Sequence, residues 1–193
     1  MNVFDEEGIR FDTPKLKIMG VEAVKSSTPE VCRGKIKEAI RMIMNKSEED
    51  LIKFVNDFKE VFKKLSPEEV AFPRSCNNLN KYSDSSSIYK KGTPIHVKGG
   101  LIYNHYIYRN KLQMKYPLIK DGDKIKFLML KQPNTIKDTV ISFSTRIPEE
   151  FNLHKYVDYD TQFEKTFTDP LKFILDSIGW KLEREASLES FFE

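Results

Sequence analysis

The chain has 193 residues, of which 39% are hydrophobic and 12% aromatic, and this composition excludes an intrinsically disordered protein. Its two cysteines show no metal-ligand spacing, which disfavours a zinc site and is typical of a reduced cytosolic protein. We expect no signal peptide, and no apolar run approaches the roughly 20 residues of a membrane span. The net charge of +3 is unevenly distributed, because residues 74–131 are strongly basic and both flanks are acidic.

The first residues predict a β-hairpin, with strands at 2–4 and 9–11. A third extended piece is predicted at 15–19. Three strands this short form a poor sheet by themselves. We therefore expect them to belong to a sheet whose other strands lie elsewhere, either in another chain or in a second copy of this one.

Two helices are predicted next. Thr28 is expected to cap the first helix, with Pro29 at its first position. Apolar residues then recur at helical spacing up to Ile43. The run from Ser47 to Asp50 resembles a capping box that opens a second helix. The short loop between the two helices favours an antiparallel pair.

Loops are predicted from 70 to 91, followed by a helix from Pro94 to Ile107. Strands are predicted at 124–130 and 139–143. A last helix is predicted at 158–178, interrupted by Pro170 and ended by Gly179. These elements indicate an α+β fold that is mainly helical, with a small antiparallel sheet.

The basic central segment contains six tyrosines among lysines, serines and asparagines. This mixture suits the phosphates and sugars of a polyanion, so nucleic acid is the favoured partner. The alternative is a solvated basic face.

Five ordered groups of motifs resemble the carboxy-terminal part of the replicative family B DNA polymerases of T-even-type bacteriophages. The groups are KLKIMGVE at 15–22 with KSSTP at 25–29; NN at 77–78, KY at 81–82, KGTPIHVKG at 91–99 and YN at 103–104; GDK at 122–124; DY at 158–159, FEKTF at 163–167, PL at 170–171 and IL at 174–175; and ASL at 186–188 with FF at 191–192.

This resemblance implies three regions: the end of the palm at 1–24, a thumb domain at 25–182, and a tail that binds the sliding clamp at 183–193. A thumb binds the primer–template duplex through its backbone, without reading bases. The implied DNA-binding residues are Lys15, Lys17, Lys25, Ser26, Ser27, Thr28, Asn77, Asn78, Lys81, Tyr82, Lys91, His96, Lys98, Tyr103, Asn104, Lys165 and Thr166.

Structural roles are the alternative for several of these residues. Ser26–Thr28 could serve only to cap a helix, and Asn77–Asn78 could be a simple turn. None of the three histidines lies near a candidate nucleophile or metal partner in sequence. Asp169 falls where some relatives carry lysine, which weakens the assignment for that end of the helix.

No catalytic or metal-binding residue is implied for this chain. Nucleotidyl transfer by two metal ions needs converging aspartates, and the family's aspartate motifs are absent from the sequence. Asp158 and Asp160 lie two positions apart on a predicted helix, so they point in different directions. The two magnesium ions of the family are therefore expected in a palm outside this chain.

The tail carries Leu188, Phe191 and Phe192 at the spacing of a clamp-binding peptide, with Glu185 where glutamine is common. An apolar set of this kind suits a groove on a partner. The alternative is a terminal helix that folds back onto the core.

Two functions follow, and both place the protein in the cytoplasm of an infected bacterium. In the first, the chain completes a split polymerase together with an amino-terminal polymerase chain. In the second, it is a stand-alone DNA-binding and clamp-docking module. Self-association through the amino-terminal strands is a further consequence, and an independent enzyme ranks last.

Overall fold

The computed structural model describes residues 2–4, 7–15, 17–19 and 25–182. It confirms the predicted class, a mainly helical α+β fold with a small antiparallel sheet. One hydrophobic core joins the helices to this sheet.

The amino-terminal hairpin pairs β1 (Asn2–Phe4) with β2 (Arg10–Lys15) in antiparallel fashion. The hairpin is confirmed, but its second strand continues to Lys15. Because Lys15 belongs to β2 and 17–19 is not a strand, the predicted third strand is wrong. Phe4, Ile9 and Met19 are exposed in this region.

Helices α1 (Glu30–Asn45) and α2 (Glu48–Phe62) pack against each other, as predicted. The capping box of α2 is confirmed, since the Ser47 hydroxyl accepts from the Asp50 amide and the Asp50 carboxylate accepts from Ser47. The predicted cap of α1 is wrong. Pro29 is its N-cap residue, and the Pro29 side chain makes no capping hydrogen bond.

The predicted loop region from 70 to 91 contains short elements. They are α3 (Pro67–Val70), β3 (Phe72–Ser75), α4 (Leu79–Tyr82), β4 (Ser83–Asp84) and β5 (Ile88–Tyr89). β3 is the edge of a three-stranded antiparallel sheet in the order β3–β6–β7. This position tolerates Pro73, because an edge strand does not need every amide for pairing.

The other two strands, β6 (Lys124–Met129) and β7 (Val140–Phe143), lie where the sequence predicts them. Helix α5 (Ile95–Arg109) packs across β7. The closest approach is at Gly99, where a Cβ atom would lie 2.4 Å from Ser142 Oγ and 2.8 Å from Ser142 N. The Ser142 hydroxyl also donates to the His96 carbonyl at 2.8 Å, which fixes the start of α5 on the sheet.

The last helical region is interrupted, as Pro170 predicts. It consists of α6 (Tyr159–Phe163), a π-helical turn (Glu164–Thr168) and α7 (Asp169–Ile178). Gly179 ends α7 in the left-handed conformation, with φ of 75°. The rings of Phe58, Phe62, Phe163 and Phe167 pack together here and attach this region to α2.

Candidate nucleic-acid interface

The segment 25–27 is attached to the sheet through Arg74. The Arg74 guanidinium donates from Nη1 to the Ser27 carbonyl oxygen at 2.9 Å. It also lies over the Phe72 ring, 5.9 Å from the centroid. Lys25 and Ser26 are exposed beside this contact. The chain thus brings a lysine, a hydroxyl and an arginine from distant parts of the sequence into one region.

Stacked rings extend this region to the start of α5. Phe72 stacks on Phe127 with ring centroids 5.0 Å apart. The His96 ring is tilted against Phe127, with centroids 6.3 Å apart. Burial lowers the pKa of His96, and the nearby charge of Arg74 lowers it further. Both effects favour the neutral imidazole, which offers hydrogen bonds rather than a positive charge.

The loop after β3 carries further polar and basic side chains. Asn77 and Asn78 are exposed, and Asn78 adopts a left-handed conformation with φ of 63°. The Leu79 amide donates to Asp121 Oδ1 at 2.7 Å, which holds the start of α4 in place.

Lys81 is exposed, and its Nζ lies over the half-buried Tyr82 ring, 5.3 Å from the centroid. The Lys90 amide donates to the Tyr82 carbonyl at 2.9 Å, and Lys90 Nζ donates to the Lys81 carbonyl at 2.8 Å. These bonds connect the loop to the exposed Lys91. We define Lys25, Ser26, Arg74, Lys81 and Lys91 as the basic strip.

An open cavity of about 590 Å³ lies beside Ser26 and Thr28. Its charged lining is mixed, because Glu30, Glu68 and Glu69 share it with Arg33 and Lys126.

Lys98 lies outside the strip and has a partner inside the protein. Its Nζ lies 2.7 Å from Asp138 Oδ1, and both side chains are largely buried. Tyr89 donates to Asp138 Oδ2 at 2.7 Å. Burial alone would lower the pKa of Lys98, but hydrogen bonds to Asp138 and Tyr89 raise it above its ordinary value. The charge of Lys98 is thus compensated inside the protein.

Four other assigned residues belong to the fold rather than to a surface. Thr28, Tyr103 and Thr166 are at most 3% exposed. The Tyr103 hydroxyl donates to the Pro117 carbonyl, and the Thr166 hydroxyl donates to the Gln162 carbonyl. The Asn104 amide donates to the Ile119 carbonyl and accepts from the Ile119 amide. In this structure these side chains stabilise the fold, and their assignment to DNA binding stays a prediction.

The remaining assigned residues lie outside the strip or outside the described residues. Lys17 is exposed, and Lys165 is exposed on the π-helical turn. Lys15 belongs to β2. The proposed clamp-binding residues, Leu188, Phe191 and Phe192, lie outside the described residues.

Two features escaped the sequence analysis. Arg74 was counted only as one of many charges, because nothing local predicts that it contacts Ser27. Lys59, Lys63 and Lys131 converge on Asp160, at 3.6, 3.4 and 3.9 Å. They come from α2 and from the segment after β6, so only the tertiary structure brings them together.

Within the described ranges, no cluster of three or more histidine, cysteine, aspartate or glutamate side chains could hold a metal ion. None of the helices described there is both long and apolar enough to cross a membrane. The exposed lysines, together with hydroxyl and amide side chains, suit an anionic polymer.

The whole chain aligns with viral polymerases. It is 32% identical over 196 residues to the DNA-directed DNA polymerase of Enterobacteria phage T4, and 34% identical over 198 residues to that of Escherichia phage RB69. Each alignment covers 100% of this chain. This chain is homologous to part of the T-even phage DNA polymerases.

The chain spans about a fifth of the length of these polymerase relatives, since each alignment covers 21% of the relative. No family model matches the sequence. The polymerase homology confirms the family predicted from the motifs, and it concerns one segment of the T-even enzymes.

Proposed function

We propose that this chain acts as the carboxy-terminal thumb of a phage DNA polymerase and that it completes a split enzyme with a separate amino-terminal chain. The observation that carries the thumb assignment is the alignment of the whole chain with two phage DNA polymerases. The sequence lacks the aspartate motifs of the family. The chemistry, with its two magnesium ions, would therefore reside in the partner chain, in the cytoplasm of the infected host.

The basic strip would bind the primer–template duplex. Lysine and arginine side chains neutralise phosphates without reading bases, which suits an enzyme that must copy any sequence. Lys25, Lys81 and Lys91 are exposed. Arg74 attaches the segment of Lys25 to β3, and the Tyr82 carbonyl attaches the segment of Lys91 to that of Lys81. Ser26 and Asn77 add neutral donors for phosphate and sugar oxygens.

Salt-dependent binding tests this role. Anisotropy of a labelled primer–template duplex, measured from low to moderate salt, should show a linear fall of log affinity with log salt concentration. Replacing Lys25, Lys81 and Lys91 by alanine removes three phosphate contacts. The slope should then become shallower by about 2.7, because each contact contributes about 0.9 on B-form DNA.

The control is a second triple variant with the same change in charge, Lys37→Ala, Lys53→Ala and Lys64→Ala, at exposed positions outside the strip. Its salt slope should match that of the unchanged chain. If both triple variants lost affinity equally, binding would depend on net charge alone and the strip would have no special role.

A stand-alone module is the second candidate function, and the basic segment at 74–131 favours it. Such a module would bind duplex and clamp without any polymerase partner. Binding of duplex by the isolated chain is compatible with both functions. Gain of primer extension on mixing with an amino-terminal chain is compatible only with the split enzyme.

The tail is proposed to attach this assembly to a sliding clamp through Leu188, Phe191 and Phe192. Their spacing places one leucine and two aromatic rings on one side of a helical turn, which suits a hydrophobic groove. The exposed hairpin β1–β2 is proposed to extend a sheet of the amino-terminal chain, or alternatively to pair with a second copy.

A further inference from the structure

An open groove of about 600 Å³ lies beside the carboxyl end of the described chain. Helix α2, helix α6, the π-helical turn and α7 form its walls. Val55, Phe163 and Leu175 give it an apolar floor, and Asn56 and Lys172 lie among its polar lining. Its volume is in the range of sites that bind ligands or short peptide segments.

The chain itself leads into this groove. Trp180 and Leu182, the last part of the described structure, line it and pack partly against the core. The Lys181 amide donates to Glu48 Oε1 at 2.6 Å, and the Trp180 amide donates to the Leu175 carbonyl at 3.0 Å. These bonds fix where the following residues begin.

Residues 183–193 follow directly and are chemically suited to the groove. Leu188 lies six positions beyond Leu182, and Phe191 lies nine beyond it, so extended chain could span roughly 20 and 30 Å. The segment contains four glutamates and one arginine. The polar lining of the groove offers partners of both signs, so its apolar floor is what favours the leucine and the two phenylalanines of this segment. The charged lining residues are Lys59, Lys172, Lys181, Asp160, Glu164 and Asp176.

We propose that the groove binds residues 183–193 of its own chain through Leu188, Phe191 and Phe192 when no clamp is present. Binding of the tail in the groove does not depend on the proposed clamp-binding role. Only the consequence, competition between the groove and the clamp for the same residues, rests on that role. A short tether gives an effective concentration of about 1 mM. A groove affinity of about 0.1 mM would then keep the tail about 90% bound and weaken clamp binding about tenfold.

The single tryptophan of the chain reports on the groove directly, because Trp180 lines it. In the full chain, Trp180 fluorescence should be blue-shifted and roughly twofold less accessible to iodide than in the Phe191→Ala/Phe192→Ala variant. A synthetic peptide of residues 183–193 should restore the shift to that variant in a saturable way. A Ser190→Ala variant is the control and should behave as the unchanged chain.

Asn56→Glu tests the competition. Asn56 is exposed on α2 and lines the groove, so a carboxylate there repels the glutamate-rich tail with little effect on folding. The variant should bind a T-even phage sliding clamp about tenfold more tightly. Gln113→Glu adds the same charge at an exposed site outside the groove lining and should leave clamp affinity unchanged.

The outcomes separate the two proposals. If Trp180 fluorescence is identical in the full chain and in the Phe191→Ala/Phe192→Ala variant, and the peptide has no effect, the groove does not bind the tail. If Trp180 responds as expected but no clamp binds, the groove proposal stands and the clamp proposal fails.

Discussion

Replacing Gly99 by alanine is expected to destabilise the protein by roughly 3 kcal/mol. The new Cβ atom would lie 2.4 Å from Ser142 Oγ, 2.8 Å from Ser142 N and 3.0 Å from the Ile141 carbonyl carbon. Two of these atoms are backbone of β7, so the clash cannot be relieved by rotating a side chain. Thermal unfolding should show a melting temperature lower by about 10 °C.

Gly34→Ala is the matched control. Gly34 also lies inside a helix, α1, but nothing is within 4 Å of the position that its Cβ would occupy. Alanine should therefore stabilise the protein by about 0.5–1 kcal/mol through backbone entropy. If both variants raised the melting temperature, α5 would not contact β7 as closely as the structure shows.

Lys98→Met is expected to destabilise the protein by roughly 2–3 kcal/mol, because it leaves the largely buried Asp138 without its cationic partner. The methionine keeps most of the side-chain volume. Urea denaturation at pH 7 measures the loss. Because the pKa of Lys98 is raised in the folded protein, the stabilisation is complete below its unfolded pKa of about 10.4 and is lost at higher pH.

The Lys98→Met/Asp138→Asn double variant should recover part of this loss, since neither charge is then buried alone. Lys91→Met is the control for stability and should change it by less than about 0.5 kcal/mol, because Lys91 is exposed. For duplex binding we expect the opposite: Lys91→Met has the larger effect and Lys98→Met the smaller one. Lys91→Met should make the salt slope shallower by about 0.9, whereas Lys98→Met should not change it.

Local sequence signals predict the long elements of this fold well. Helix α2 has a capping box and a continuous apolar stripe, and α7 ends at a glycine that adopts a positive φ. The short strand β3 was missed because Pro73 and the polar residues after it are typical of a loop. Its pairing with β6 depends on contacts between residues about 50 positions apart, which no local pattern encodes.

The candidate site was predicted less completely than the fold. Basic and aromatic residues at 74–131 indicate a nucleic-acid surface. In the structure some of them are exposed, such as Lys81 and Lys91, and others are largely buried, such as Lys98 and Tyr103. Tyr103 is buried on the face of α5 that Gly99 packs against β7, and Lys98 is held by Asp138. The glycines at 99 and 100 obscured the helical periodicity. Arg74 joined the site only through its contact with Ser27.

The most direct test of the account is reconstitution of a polymerase from two chains. The partner is an amino-terminal segment of a T-even phage polymerase that retains the catalytic aspartates but lacks the region homologous to this chain. Mixing the two should increase primer extension well above that of the larger segment alone. The Lys25→Ala/Lys81→Ala/Lys91→Ala variant should restore less activity, most clearly at higher salt. If the complete chain gave no gain over the larger segment alone, this chain would not be the missing thumb.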